Sequence, residues 1–308
     1  MTVDVLSGRE AEALLASGAF LPAPLPEQAP RPGVADLIAS ARVVNADTDN
    51  GVRWTQGFSV LGDTCGPPGV WDVCTDSPGT APPIGKPAFY KYTPFLLIAD
   101  YQCSTFGITP QDVHDGAQRM LTGPAASFAL AREFWNGVAT APPGGVQNPS
   151  VVRNGVDVTP TPGTALRPYA ALAELEEQAR AKAPGLGRYM IHCSPRVLAL
   201  WSEGAALNLT GNVITTMQGT IVSADAGYAT RSNIVGPPAV AALTAPHEWA
   251  AITGVATVRL GSVQQAPDVD LMVDRNANTI TGQAARLAAV TYPPCLPPQV
   301  VEVDTSLV

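Results

Sequence analysis

The apolar positions between residues 109 and 137 form one continuous stripe. Val113, Ala117, Met120, Pro124, Phe128, Ala131 and Trp135 recur at spacings of three and four, the period of an amphipathic helix. Thr109 is placed as N-cap, Pro110 suits the first helical position, and Asp112 completes a capping box. Asn136-Gly137 supplies the stop. Gly123-Pro124 interrupts the run, but the stripe stays in phase across it. The pattern therefore predicts one long helix, about 109–137, bent at a hinge formed by Gly123 and Pro124. An apolar run at 94–99 reads as a strand leading into it.

The flanking regions carry different patterns. Residues 7–18 place Ala11, Leu14 and Leu15 on one face of a short helix, and residues 34–42 suit a second one. Between them lies LPAPLPEQAPRPG, where proline holds the chain extended, so residues 1–50 read as an arm. Residues 50–89 set Gly and Pro clusters between short Trp- and Val-rich pieces. Of these, 53–61 and 70–74 read as strands, and 87–92 begins another. This stretch has too few apolar residues to pack alone, so Trp54, Phe58 and Trp71 are expected to dock onto another subunit.

Beyond the long helix comes a Pro/Gly loop at 140–163. A helix capped by Thr164 then runs to about Lys182, with Glu174, Glu176 and Glu177 ahead of Arg180 and Lys182, as the helix dipole favours. Residues 188–192 read as a strand, and Ser194-Pro195 opens a helix ending near Gly204. Residues 213–224 are strand-like with a break at Gly219. Further strands are expected at 255–260, 269–273, 278–292 and 299–303. No internal repeat is visible, and the fold class is α+β.

Composition sharpens this. Hydrophobic residues make up 46% and charged residues only 14% of the 308, against about 25% charged in ordinary soluble domains. So little charge solvates a large free surface poorly, and two causes stay open: surface buried between subunits, or an Ala/Pro/Gly-rich composition. The net charge of −8 argues against a dedicated nucleic-acid binder, although an acidic inner wall would suit a container for DNA. The five cysteines, with no C-x-x-C, suggest neither a disulfide framework nor a zinc site. They read as buried free thiols, with a Cys65–Cys74 bridge as the alternative. The N-terminus lacks the basic and apolar regions of a signal peptide, and no apolar run reaches the length of a membrane span. A chain made and kept in the cytoplasm is expected.

Candidate chemistry is sparse. His192-Cys193-Ser194 has the residue types of a nucleophile cluster. On a strand, though, His192 and Cys193 point to opposite faces, and Ser194 is already the helix cap. GTAPPIGKP at 79–87 has one residue too many between its glycines for a phosphate loop, and Pro87 stands where Ser or Thr should hold magnesium. Gly185-Leu-Gly187 reads as a helix-ending turn. Asp268, Asp270 and Asp274 lack the glycine and glutamate of a calcium loop and read as a solvated edge. Asp112, His114 and Asp115 belong to the first turn of the long helix, where acids are expected. No catalytic residue, cofactor or metal is assigned, and the chain reads as a non-enzyme.

From about Thr55 onward the order of pieces resembles the major capsid proteins of tailed bacteriophages, whose Hong Kong-type fold is shared with encapsulin shells. Tyr92-Thr-Pro-Phe…Cys103-Ser-Thr-Phe-Gly107 and Glu133-Phe-Trp-Asn-Gly137 resemble the strand and spine helix of actinobacteriophage capsid proteins. Met190-Ile-His-Cys-Ser-Pro-Arg196, Gln218-Gly-Thr-Ile-Val222 and Ala226-Gly-Tyr228 resemble the central domain. Residues 254–261, Asp274-Arg-Asn-Ala-Asn278 and Ala284-Ala-Arg-Leu287 resemble the closing strands of the peripheral domain. The resemblance implies an N-arm (1–50) reaching another copy, an E-loop (51–92), a P-domain (93–163 and 252–308) and an A-domain (164–251).

It also implies a major capsid protein self-assembling as pentamers and hexamers into an icosahedral shell around phage double-stranded DNA, located in the virion and assembled in the bacterial host cytoplasm. The implied partners are further copies of itself, a scaffolding protein, a portal and, in shells that carry one, a decoration protein. DNA contact would be non-specific, and no membrane partner is implied. No long charged N-terminal scaffolding segment is present, so scaffolding is expected as a separate protein. Some members weld their subunits through a loop lysine, but Lys86 and Lys91 lie near the loop base and that chemistry is not carried over. Two alternatives stay open: an encapsulin-like compartment shell, and a small hydrolase using His192 or His247.

Overall fold

The computed structural model describes residues 3–6, 21–22, 35–45, 58–61, 89–104, 110–137, 148–161, 163–204, 206–210, 213–228, 246–265, 272–274 and 279–306. Sixteen strands fall into two seven-stranded sheets and one two-stranded ladder. They are β1 (Val3–Leu6), β2 (Leu21–Pro22), β3 (Arg42–Asn45), β4 (Phe58–Leu61), β5 (Phe89–Tyr92), β6 (Phe95–Ser104), β7 (Val156–Asp157), β8 (Tyr189–Cys193), β9 (Leu207–Thr210), β10 (Val213–Thr216), β11 (Ile221–Ala224), β12 (His247–Gly254), β13 (Thr257–Gln265), β14 (Met272–Asp274), β15 (Thr279–Thr291) and β16 (Gln299–Asp304). The helices are α1 (Leu37–Ser40), α2 (Pro110–Thr122), α3 (Pro124–Asn136), α4 (Val151–Asn154), α5 (Pro168–Lys182) and α6 (Pro195–Glu203). The mixed α+β class is as the sequence indicates. Among the described residues, no helix is long and apolar enough to cross a membrane.

The first sheet runs β1-β6-β15-β13-β2, with β3 also on β13 and β14 on β15. Its central pair, β6 and β15, is in register from Phe95↔Ala288 to Ser104↔Thr279. One face of this pair carries α2. A Cβ at Gly282 would come within 2.6 Å of Val113, and one at Gly116 would stand 2.5 Å from the Tyr101 ring. Glycine is needed at both positions so that helix and sheet can approach closely. Buried Arg286 reaches across this face, donating from Nε to the Gly261 carbonyl (2.7 Å) and from Nη1 to the Leu121 carbonyl (3.5 Å). Leu121 lies in the last turn of α2, where carbonyls lack helical partners.

The long helix divides in two. Gly123 has φ −97° and ψ −164°, an extended backbone that ends α2, and serves as N-cap of α3 with Pro124 at the first helical position. This corrects the single bent helix expected over 109–137. A proline at the first helical position sacrifices no intrahelical bond, so the chain restarts the helix instead of straining it. The apolar stripe stays in phase because only one residue separates the two segments. Pro124→Ala is accordingly expected to leave the break in place and change stability by no more than about 1 kcal/mol, measured as the urea midpoint together with far-UV helicity.

The second sheet runs β7-β16-β12-β8-β11-β10-β9. Its central strands β8, β12 and β16 are buried on both faces. Ile191, Cys193, Ala250, Ile252, Val301 and Val303 face α5 and α6, which contribute Ala171, Leu175, Ala179, Val197 and Trp201. Met190, Trp249, Ala251 and Val300 face the other way, into the core that holds α3. α3 is therefore a central helix: beyond its first residue, Pro124, only Phe128 and Arg132 are exposed.

Several sequence expectations are corrected here. Residues 299–304 pair with β12 and β7 in the second sheet, so the chain after 252 does not close the first sheet alone. A strand's partner is set by a non-local crossover that local pattern does not encode. The helix expected from Thr164 begins at Pro168, because Leu166 bridges to Val303 and donates to the Glu302 carbonyl at 2.8 Å. Residues 213–224 form a hairpin rather than one interrupted strand, with Gly219 at φ 83° in its turn. Strands β1, β2, β3, β7, β9 and β12 are not signalled by the local pattern. The helix read over 7–18 and the strand read over 70–74 lie outside the described residues.

The arm folds back on its own chain. β1 pairs with β6, while β2 and β3 pair with β13, so both edges of the three-stranded centre of the first sheet are covered. Unpaired edges invite association, and covering them is a standard safeguard. β4 and β5 form a ladder at the base of the 62–88 segment. Tyr92 anchors that base, donating to the Tyr292 carbonyl (2.9 Å) and accepting from the Tyr292 amide (3.3 Å). Lys91 lies in β5, at the base.

Candidate functional site

The residue types that suggested chemistry meet where β8, β11 and β12 pack on α3. His192 is wholly buried. Its ring lies 4.3 Å from that of Phe134 and 5.3 Å from that of Tyr228, and Tyr228 also packs 5.9 Å from Trp135. Nε2 of His192 contacts the Thr253 hydroxyl at 2.9 Å, and that hydroxyl donates to the Gly254 carbonyl at 2.7 Å. Thr253 must then accept from His192, which puts the ring proton on Nε2. Nδ1 in turn accepts from the Tyr228 hydroxyl at 3.1 Å, and Tyr228 accepts from Ser223 at 2.7 Å. The hydroxyls thus form one directed chain: Ser223 to Tyr228 to His192 to Thr253 to the Gly254 carbonyl.

A second ring proton on His192 would break that chain, because Nδ1 would have to donate where it now accepts. Burial pushes the His192 pKa down to about 3, so the imidazole stays neutral. Cys193 points to the opposite face, with Sγ 3.8 Å from the Ser223 carbonyl. Burial, reinforced by the Glu248 charge, pushes its thiol pKa up. Ser194 caps α6, accepting from the Val197 amide at 3.3 Å, and donates to buried Glu248. These three residues therefore share no reaction site. His192 is a structural hydrogen-bond link, Cys193 a neutral core thiol, and Ser194 a cap. Reactive thiols need exposure and a lowered pKa. His247, the other residue considered for hydrolysis, pairs through Nδ1 with Glu302 at 2.6 Å. Among the described residues, no hydroxyl or thiol lies within hydrogen-bond distance of its Nε2.

The Glu133-Phe-Trp-Asn-Gly137 segment has a physical explanation at this junction. Phe134 and Trp135 carry the aromatic cluster, while Gly137 ends the helix at φ 74°, its amide donating to the Glu133 carbonyl at 2.7 Å. Ala226-Gly-Tyr228 completes the site. A Cβ at Gly227 would sit 2.2 Å from the Phe128 carbonyl oxygen and 2.9 Å from the Arg132 amide nitrogen, so the loop touches the α3 backbone directly. Asp225 fastens the contact, accepting from the Ser127 hydroxyl (2.8 Å) and the Gly227 amide (2.9 Å); burial raises its pKa against the pull of these bonds. The base of the arm joins here too. The Ile38 amide donates to Ser127 Oγ at 3.4 Å, and Ala224 donates to the Ala35 carbonyl at 2.6 Å. The junction binds arm, central helix and second sheet together.

The remaining expected positions scatter. Trp54 and Trp71 lie outside the described residues, and Phe58 opens β4. Asp268 and Asp270 also lie outside, and Asp274 ends β14. Among the described residues, no group of three or more His, Cys, Asp or Glu side chains could hold a metal. Cys193 is a free thiol, but Cys295 is disulfide-bonded, which corrects the expectation of free thiols throughout; its partner is not among the described side chains. Sequence reading missed the open side of the second sheet. β9 is its terminal strand, with Leu209 65% and nearby Met217 70% exposed. Asn208 Nδ2 lies 3.1 Å from Met217 Sδ, whereas Leu209, the next residue along β9, has the opposite parity. The apolar alternation of Leu207-Asn-Leu-Thr210 was the available signal.

No family model matches the chain, and no curated protein matches it. Among solved structures, it is similar to the capsid of an empty GTA particle, with 14% identity, 91% of this chain and 100% of that chain covered, and a TM-score of 0.45. It is similar to the SrpI encapsulin of Synechococcus elongatus PCC 7942, with 11% identity, 96% of each chain covered and a TM-score of 0.46. It is also similar to the capsid of Myoviridae phage XM1, with 11% identity, 91% of this chain and 95% of that chain covered, and a TM-score of 0.45.

Proposed function

We propose that this chain is a shell-building subunit, the major capsid protein of a tailed bacteriophage, that assembles through pentamers and hexamers around packaged DNA. The observation that carries the reading is the open edge of the second sheet. β9 has no outer neighbour among the described residues, and Leu209 on it and Met217 just past β10 are both exposed. An unpaired apolar edge favours association with another chain. The low charge content and the motif resemblance point the same way. The clustered His, Cys and Ser side chains serve packing, which supports a structural role over a hydrolytic one.

In this reading residues 164–251, joined by β16, form the A-domain that gathers around the ring axes. Residues 51–92 form the loop laid over a neighbouring copy, with Trp54, Phe58 and Trp71 as contacts. Ring contacts of this kind join different surfaces of successive copies and close by rotation. Each can be weak, because one subunit makes many at once. Scaffolding, portal and decoration proteins would act on the assembled rings, in the host cytoplasm.

Leu209→Lys combined with Met217→Lys is expected to weaken each ring contact by about 2 kcal/mol and to shift the protein from assemblies to small species in light scattering. The unfolding midpoint should stay within about 0.5 kcal/mol of the parent, because both side chains are exposed in the free chain. Unchanged assembly in this double variant would argue against the edge as the contact.

A further inference from the structure

The turn that joins β10 to β11 is gripped by α5. Thr216 and Thr220 at its ends are buried, while Met217 stands out into solvent. The Thr216 amide donates to the Thr220 carbonyl at 2.8 Å, and the Gly219 amide donates to the Thr216 carbonyl at 3.0 Å. The Thr216 hydroxyl accepts from the amides of Gln218 (3.3 Å) and Thr220 (3.2 Å). Both of its lone pairs are then used, so its one proton must be donated elsewhere. It goes to Oε1 of Glu176, a buried carboxylate on α5, at 2.6 Å. Four residues further along the same helix face, Arg180 donates from Nη2 to the Gln218 carbonyl at 3.3 Å.

Exposed turns are ordinarily among the least protected parts of a fold. This one is tied to a neighbouring helix at its base and at its apex, and its exposed residue is a long apolar one. Asn208 Nδ2, 3.1 Å from Met217 Sδ, steadies that side chain as well. Order already present in the free subunit is order that binding does not have to create, so a turn built this way is preorganised for contact. An unbranched thioether also adapts to an irregular apolar surface. The surrounding chain says what the partner is. From Gly204 to Ala224 there is no charged residue, and Glu203 and Asp225 bound the run. Copies of net charge −8 repel one another, and an uncharged surface is where two of them can close with the least like-charge penalty.

We infer that Glu176, Arg180 and Thr216 are positioning residues for assembly: they hold the 216–220 turn as a preformed finger that presents Met217 to an apolar surface of a second copy of this chain. This rests on the shell reading and deepens it. The contact is made by Met217, and its geometry is set from behind by α5. Loss of the Thr216 hydroxyl frees the amides of Gln218 and Thr220 together and cuts the turn loose from Glu176, while Met217 itself remains in place to make contact.

Two measurements on the full chain test this: amide hydrogen exchange over residues 217–220 in dilute, unassembled protein, and the protein concentration at half-assembly by light scattering. Thr216→Val is expected to speed the exchange about tenfold and to raise the half-assembly concentration about fivefold. Thr216→Ser and Glu176→Gln, which keep the donor and the acceptor, should match the parent in both. Ser223→Ala, which removes a buried hydroxyl outside the turn, should leave the half-assembly concentration unchanged. If Thr216→Val does not fold, Arg180→Ala, at an exposed position, must move both readouts in the same direction. Unchanged exchange in Thr216→Val overturns the grip of α5 on the turn. Faster exchange with unchanged assembly overturns the positioning role alone, provided the Leu209→Lys, Met217→Lys double variant still impairs assembly. A parent chain that never assembles overturns the shell reading and this role together.

Discussion

Gly227→Ala is expected to destabilise the protein by about 3 kcal/mol, the upper part of the range for forced overpacking. The new methyl would stand 2.2 Å from the Phe128 carbonyl oxygen and 2.9 Å from the Arg132 amide nitrogen. Both are backbone atoms in a helix buried on nearly all sides, so neither can rotate away as a side chain tip would. Relief requires the 225–228 segment to lift from α3. That would stretch the Asp225–Ser127 hydrogen bond and withdraw Tyr228 from Phe134 and Trp135. Urea unfolding of the variant should show a lowered midpoint. The conservative control Ser223→Ala removes one hydroxyl from the hydrogen-bond chain without a clash and should cost only about 1 kcal/mol. Equal effects from the two substitutions would contradict the close approach.

The second large effect is acid sensitivity. An exposed histidine takes up a proton near pH 6.5, whereas His192 in the folded chain resists until about pH 3. Between these values the unfolded state binds more protons than the folded one. Stability therefore falls as pH falls from about 6.5 to 3, by up to about 4 kcal/mol from this group. His192→Gln keeps a donor and an acceptor but does not titrate. It should cost stability at pH 7, through lost contact with Phe134, and lose less on acidification than the parent. Urea midpoints at pH 7, 5 and 4 should converge for the two proteins. Parallel curves would show that His192 is not held neutral.

Local signals were legible where the physics is local. Ser194-Pro195 opens α6 as cap and first-turn proline, and Gly204 ends it. The Arg180 and Lys182 end of α5 is also as read. Gly123-Pro124 was identified as the weak point of the helix, but its outcome depends on ψ at Gly123, and an in-phase stripe suits a bend or a one-residue break equally. β12 was missed because His247–Gly254 is buried on both faces and shows no alternation. The site was less legible. The chain through Ser223, Tyr228, His192 and Thr253 joins residues 36 and 61 positions apart. Only the opposite pointing of His192 and Cys193 could be seen in advance. The segments around Phe134 and Tyr228 could be noticed as resemblances, but their meeting against α3 required the fold.

Closed assemblies, built through the chain's own edges and loops, are the expected state of the protein. Negative-stain electron microscopy of the purified full-length protein, with light scattering on the same sample, tests it most directly. Rings or closed shells are expected, in a population that grows with protein concentration or on addition of a scaffolding protein. A single sharp monomer species, unchanged with concentration and scaffold, would contradict it.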